Sequence, residues 1–350
     1  MAASPRAAMP ILEGILIMAG DDSIVLTGSD SMLTVSVKVK GDVFDAGAGV
    51  VRGKMFSDIV KKMPDGEIIV SSDKNARFTV SGGQAKFNIA GSDASQYPRR
   101  DSENIFNSVS VPNSVLYDMI EKTEQCVAND ASRPVLTGGC LESINGQANM
   151  TALDGFRLST RQCLCTPSAK DIEVIIPHKS LAMMKKLLNP SEETPITLSF
   201  TNTAMLVDIG GTELQSTLIN GPYIKWRTLI PKDFSTRVAV NSDAFRDAIE
   251  RAALIARGGE NRLVKLSIGE NTLSIMSRTS EDEVVEHIEV DQFGPDLDIS
   301  FNVAYLSDMT RVIKTKRTML NFTNSTSPCV VEPEGDKDCL WLILPVRTTA

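Results

Sequence analysis

Apolar and polar positions along the chain follow two alternating periods. In Thr34-Val35-Ser36-Val37-Lys38-Val39-Lys40, Glu67-Ile68-Ile69-Val70-Ser71 and Thr272-Leu273-Ser274-Ile275-Met276 the apolar residues fall near every second position, which predicts half-buried strands. Turn residues punctuate them at Ser81-Gly82-Gly83, Ile209-Gly210-Gly211 and Arg257-Gly258-Gly259. Windows 53–63, 112–127, 177–188, 241–257 and 302–317 carry instead the period of amphipathic helices of about three turns. In the first of them, Met55, Phe56, Ile59, Val60 and Met63 form the apolar stripe.

Each helix window follows a short β-rich run through a turn residue. The copies are Val50-Val51-Arg52-Gly53-Lys54-Met55-Phe56, Ser110-Val111-Pro112-Asn113-Ser114-Val115-Leu116 and Ile175-Ile176-Pro177-His178-Lys179-Ser180-Leu181, then Ala239-Val240-Asn241-Ser242-Asp243-Ala244-Phe245 and Ser300-Phe301-Asn302-Val303-Ala304-Tyr305-Leu306. Their last residues, Phe56, Leu116, Leu181, Phe245 and Leu306, are spaced by 60, 65, 64 and 61 positions, the mark of duplicated structural units. One period back from Phe56 falls before residue 1, so a sixth copy is expected to keep only its later strands. Met9-Pro10-Ile11-Leu12-Glu13-Gly14 matches Arg133-Pro134-Val135-Leu136-Thr137-Gly138, and Gly28-Ser29-Asp30 lies near the register of Leu153-Asp154-Gly155. Pro10 to Pro134 and Asp30 to Asp154 are both 124 residues, twice the unit, so units pair into domains. The expected fold is α+β, with three similar domains at 1–105, 106–234 and 235–350, each of two copies. Tyr97-Pro98-Arg99-Arg100-Asp101 and Ile230-Pro231-Lys232-Asp233 are the expected linkers.

Charge adds a second regularity. The 350 residues hold 36 Lys+Arg against 44 Asp+Glu, a formal net charge of −8. Three helix windows run the other way: Lys54, Lys61 and Lys62 against Asp58; Lys179, Lys185 and Lys186 with no acid; and Arg311, Lys314, Lys316 and Arg317 against Asp308. The windows 112–127 and 241–257 are not basic. Positive charge recurring at corresponding places in an acidic chain points to one polyanion-facing surface. No aromatic residues interleave these lysines, so the pattern fits sequence-independent contact with duplex phosphates rather than stacking on single-stranded bases.

Candidate catalytic chemistry is sparse. Six cysteines show no CxxC pair; Cys163 and Cys165 hold alternate strand positions, which puts two thiols under a sheet rather than in a metal clamp. Their usage fits reduced thiols in the cytoplasm. Uncharged apolar runs stay below the roughly 18 residues of a membrane span, and Pro10 and Glu13 interrupt the stretch after Arg6 that resembles a signal peptide. His178 and His287 lack metal-ligand companions, and His178 stands at a helix start where a cap or surface role is expected. Gly47-Ala48-Gly49-Val50-Val51-Arg52-Gly53-Lys54 matches neither phosphate-loop pattern, and Glu281-Asp282-Glu283 reads as a charged turn. The expectation is a binding protein with no cofactor and no metal, not an enzyme.

Ala152-Leu153-Asp154-Gly155-Phe156-Arg157-Leu158, preceded by Ala128-Asn129-Asp130-Ala131-Ser132-Arg133-Pro134-Val135-Leu136, resembles the bacterial DNA polymerase III beta subunit, the sliding clamps. The likeness continues through Tyr223 to Arg227-Thr228-Leu229-Ile230-Pro231, Phe301-Asn302-Val303-Ala304-Tyr305-Leu306 and Leu344-Pro345-Val346-Arg347. The resemblance implies the DNA clamp or processivity fold, three domains of two βαβββ halves, closed into a head-to-tail homodimeric ring around double-stranded DNA. It adds Arg133 to the basic residues expected to face DNA.

It also implies a groove for short peptide motifs of the DNA polymerase III catalytic subunit, the clamp loader and other partners. The matching residues are Leu136, Leu153, Gly155, Phe156, Arg157, Leu158, Ile224, Leu229, Leu342, Leu344, Pro345, Val346 and Arg347. The implied dimer contacts are Phe87 and Ile89 against Leu254 and Ile255. Ile224 stands where many relatives have Pro, and Thr228 where a basic residue is common. The strand and helix that open the relatives are missing ahead of Pro10, which raises the alternative of a truncated copy that binds peptides without closing on DNA.

Overall fold

The computed structural model describes residues 9–20, 23–98, 105–257 and 262–347. Arg6, the linker residues Arg99-Arg100-Asp101 and the turn residues Gly258-Gly259 lie outside the described residues. Five helices, α1 (Gly53–Lys62), α2 (Asn113–Thr123), α3 (His178–Leu187), α4 (Ser242–Ala256) and α5 (Val303–Val312), fill the predicted windows. Each begins directly where a strand ends: Gly47–Arg52, Asn107–Pro112, Ile172–Pro177, Thr236–Asn241 and Leu297–Asn302. Phe56, Leu116, Leu181, Phe245 and Leu306 are each the fourth residue of their helix, and all five are buried. A side chain one turn into a helix that leaves a strand without a loop is carried back over the sheet, which is why the repeat preserves this position. Asn241 and Asn302 cap α4 and α5, their side-chain oxygens accepting from the backbone N–H of Ala244 and Ala304 at 2.9 Å.

Two expectations are corrected. The last basic window, 302–317, is helical only to Val312; Ile313 turns extended (φ −79°, ψ 124°) and buries in the core, which ends the helix. Lys314 and Lys316 therefore lie in a connector, and Arg317 opens the strand Arg317–Phe322. The strand in Glu67–Ser71 is Ile69–Ser72, and it is exposed throughout rather than half-buried, because it is the edge of its sheet and pairs only with Arg77–Gly82.

Sequence-distant units are joined by continuous sheets. One compact unit holds the chain up to Ser110 with Lys186–Leu188 and Thr194–Leu218. Its eleven-stranded sheet runs Ile69–Ser72, Arg77–Gly82, Ala85–Asp93, Gly47–Arg52, Gly14–Gly20, Ser23–Ser29, Leu33–Val39, Thr212–Thr217, Ala204–Ile209, Pro195–Phe200, Asn107–Pro112. The join is antiparallel, Thr212 opposite Val37 and Leu214 opposite Val35. Its core gathers Ile17, Val51, Phe56, Phe78, Val80 and Ile89.

The second unit holds Val111–Lys185, Asn189–Glu193 and the chain from Ile219 on. Its nine-stranded sheet runs Ile172–Pro177, Gly138–Ile144, Gln147–Leu153, Arg157–Leu164, Cys339–Ile343, Cys329–Pro333, Arg317–Phe322, Thr236–Asn241, Asp291–Phe293. Here the join pairs Leu158 with Leu342 and Thr160 with Leu340. A four-stranded sheet, Glu283–Glu289, Thr272–Arg278, Leu263–Gly269 and Leu297–Asn302, completes it around a core built on Phe245, Phe301, Phe322 and Trp341.

The remaining motifs take structural roles. Gly47–Arg52 is a strand that runs into α1, so its glycines form no phosphate cradle. Residues 279–282 form a turn in which the Thr279 hydroxyl accepts from the N–H groups of Glu281 and Asp282. His178 is exposed at the start of α3 with its backbone N–H on Thr137 O. Cys163 and Cys165 are half-buried, and burial pushes the Cys163 thiol up to about 11. Among the described residues no cluster of three metal-ligating side chains forms, and no helix is long and apolar enough to cross a membrane.

Candidate partner groove and nucleic-acid-facing residues

The expected groove starts at a turn. Asp154 Oδ1 accepts from the backbone N–H of Phe156 at 2.9 Å and of Arg157 at 3.0 Å, an Asx turn that needs φ +94° at Gly155. It throws Phe156 outward, 59% exposed, where its ring stacks on Tyr305 of α5 with centroids 6.3 Å apart. Arg157 folds back instead. Its Nε donates to Asp154 at 3.0 Å, its Nη1 to Asp308 at 2.7 Å, and its guanidinium lies 4.6 Å from the Tyr305 ring centroid. Burial opposes its charge, but the Cys126 sulfur, Asp308 and Asp154 together outweigh that, so its pKa stays above the usual arginine value. Arg157 is thus an internal tie and not a free cation.

Leu136, Leu153, Leu158 and Leu342 come together in one core with Tyr223, Trp226 and Val330, each leucine no more than 5% exposed. Cross-strand pairing explains the cluster, since Leu153 faces Leu158 and Leu158 faces Leu342. The C-terminal residues lie alongside: Leu344 N–H donates to Phe156 O at 2.9 Å and Val346 N–H to Ser300 O at 2.8 Å. Leu344, Pro345 and Val346 are half-buried and Arg347 is exposed. From the segment 223–229, Ile224 and Leu229 stay 40% and 46% exposed while Tyr223 and Trp226 bury. Phe156, Ile224 and Leu229 form an exposed apolar rim on the segments that carry this buried leucine core.

Behind that segment lies a pocket of about 210 Å³ lined by Cys140, Glu142, Glu173, Tyr223, Ile224, Lys225, Trp226 and Arg227. Burial raises both the Cys140 thiol and the Tyr223 phenol above their ordinary ranges, so both stay protonated. Sequence reading passed over Tyr305, Trp226 and Glu142. Tyr305 lies one residue before the buried anchor Leu306, and that place in the repeat is the signal that marks it. Trp226 and Glu142 had none beyond the rarity of tryptophan.

The basic residues divide. Lys54, Lys61, Lys62, Lys186 and Lys316 are exposed and, among the described residues, form no ion pair, and the exposed Arg133 acts on the Asp130 carboxylate. Lys185 is held by Glu124, Lys314 by Glu121 at 2.7 Å, Arg317 by Asp291 and Glu334, and Arg311 lies 3.6 Å from Glu250. Most of the third basic window is therefore neutralised in place. Of the expected dimer residues, Phe87 and Leu254 are 41% and 69% exposed; Ile255 is half-buried, and Ile89 is buried in the first unit's core.

Repeated α+β units, helices with exposed lysines and an apolar rim beside the C-terminal segment define a DNA clamp. The family profile of the DNA polymerase III beta subunit matches in three parts: its N-terminal domain over residues 2–101, its central domain over 110–225 and its C-terminal domain over 227–347. The beta sliding clamp of Staphylococcus aureus is 31% identical across 99% of this chain and 94% of its own. Among solved structures, the DNA polymerase sliding clamp from Bacillus subtilis is similar at TM-score 0.94 and 32% identity, covering 99% of this chain and 94% of that one. The DNA polymerase beta subunit of Streptococcus pyogenes follows at 0.92 and 28%, covering 99% and 95%. The chain belongs to the DNA polymerase III beta subunit family, the sliding clamps of DNA replication.

Proposed function

We propose that this chain, with domains at 1–105, 106–234 and 235–350, closes head-to-tail with a second copy into a ring around duplex DNA in the cytoplasm. The ring tethers the replicative polymerase without catalysing a reaction itself. The observation that carries this reading is a pair of open sheet edges: one side of Lys86–Ile89, and the outer strand Glu283–Glu289. Open edges pair with other chains unless covered, and each here has an exposed apolar residue on its own unit, Phe87 and Leu254. A closed ring leaves DNA only when an interface opens, while Lys54, Lys61, Lys62, Lys186 and Lys316 with Arg133 exchange freely among phosphates. The rim of Phe156, Ile224 and Leu229 takes apolar motifs of the polymerase, the clamp loader and other partners. Light scattering tests the assembly. A mass near twice 37.9 kDa that falls to 37.9 kDa in Phe87→Asp supports the ring, as does retention on circular but not linear DNA. A wild-type monomer leaves a peptide-binding module that does not encircle DNA.

A further inference from the structure

The segment that presents Ile224 and Leu229 has one buried carboxylate beneath it. Glu142, on the strand Gly138–Ile144, is 9% exposed. Its Oε2 accepts from the Trp226 indole N–H at 3.2 Å and its Oε1 from Arg227 Nη1 at 2.8 Å, while the Arg227 guanidinium lies 4.3 Å from the Trp226 ring centroid. The three side chains close a triangle, with Asn149 Nδ2 donating to the same carboxylate at 3.3 Å from the next strand. Asn149 is itself held by Thr151 at 2.7 Å and by Thr160 at 2.7 Å. Thr151 and Thr160 lie on the same two strands as Leu153 and Leu158 of the groove floor.

A buried carboxylate is tolerated only with donors around it, and here two of them come from the segment itself. Losing the carboxylate would leave the Trp226 and Arg227 donors without their shared acceptor and free the segment to shift.

We infer that Glu142 is a positioning residue for partner binding: by bracing Trp226 and Arg227 from below, it holds Ile224 and Leu229 in place as one wall of the groove. It does not touch the partner. This rests on the reading of the groove as a peptide site. Preorganisation of the wall lowers the ordering cost of binding, so partner affinity depends on a residue outside the contact surface.

The test uses the full-length protein and a fluorescein-labelled pentapeptide whose apolar side chains are leucine and phenylalanine. Glu142→Ala is expected to weaken its binding about tenfold, and Glu142→Gln, which keeps an acceptor for the indole N–H, by about threefold. Arg227, more than half exposed, is removed by Arg227→Ala as a variant that spares the fold; its effect and that of Glu142→Gln should be less than additive. Iodide quenching reads the brace directly: both tryptophans are buried, Trp341 deep in the core and Trp226 against Glu142, so quenching gained in a variant reports release of Trp226. Quenching should rise in Glu142→Ala and Arg227→Ala. Wild-type binding with unchanged affinity and quenching in the variants overturns the inference alone. Failure of the wild type to bind overturns the groove reading and the inference with it.

Discussion

Lys122 and Asp336, 214 residues apart in sequence, meet at 3.2 Å. Lys122 belongs to α2, Asp336 to the turn after the strand Cys329–Pro333, and two further groups tighten the meeting. Asp118 accepts from Lys122 at 3.0 Å and from Arg161 at 2.8 Å, and Arg161 reaches Asp336 at 3.0 Å. Lys122 is 7% exposed, so its charge is carried by these partners rather than by water. Removing it leaves Arg161 as the cation that Asp118 and Asp336 share. Lys122→Ala is expected to cost about 2 kcal/mol, read as a lower urea midpoint with an unchanged slope.

The helix anchors give a sharper stability contrast. Leu116→Ala empties a fully buried site and is expected to cost about 3 kcal/mol, whereas Phe44→Ser, at a residue 83% exposed, should change stability by less than about 0.5 kcal/mol. Equal midpoints for the two variants in urea denaturation would contradict the core assignment.

Charge reversal should separate the free lysines from the neutralised ones. Lys61→Glu with Lys62→Glu is expected to weaken equilibrium binding to short linear duplex DNA and to reduce its salt slope by about 0.9 per lost contact. Arg317→Gln, whose guanidinium is already held by Asp291 and Glu334, should leave both unchanged. The measurement is the salt dependence of the equilibrium affinity, and a slope that Arg317→Gln reduces equally would refute the division.

Acid should loosen the outer strand Glu283–Glu289. Arg251 grips Glu286 through two bonds of 2.5 and 2.6 Å, and this holds the Glu286 carboxyl below its ordinary value of 4.5. A depressed folded-state value means the stabilisation is complete above the unfolded value and is lost as pH falls through the folded one. Melting temperatures at pH 7 and pH 3 should therefore differ less in Glu286→Gln than in the wild type, and an equal difference would exclude this pair as a contributor.

The sequence by itself determined the repeat, because one buried anchor per helix is a local requirement: a helix leaving a strand must lay its fourth residue on the sheet. Phe56, Leu116, Leu181, Phe245 and Leu306 were legible for that reason, as was the charge on α1 and α3. The leucine floor was legible only through the resemblance, since a buried leucine in a groove and one in a core are the same residue until their neighbours are known. Tertiary structure alone decided that Ile313 leaves α5 to enter the core, and that Lys314 and Arg317 are spent on Glu121 and Asp291. It alone turned Arg157 inward onto Asp154 and Asp308, and set Glu142 beneath Trp226 and Arg227. Asp308 for Arg157, Arg227 for Glu142 and Glu121 for Lys314 lie tens to hundreds of residues away, brought within 2.7 to 2.8 Å by the tertiary fold. A pattern of period two or three and a half records which face a residue occupies; it carries no information on which distant charge that face will meet.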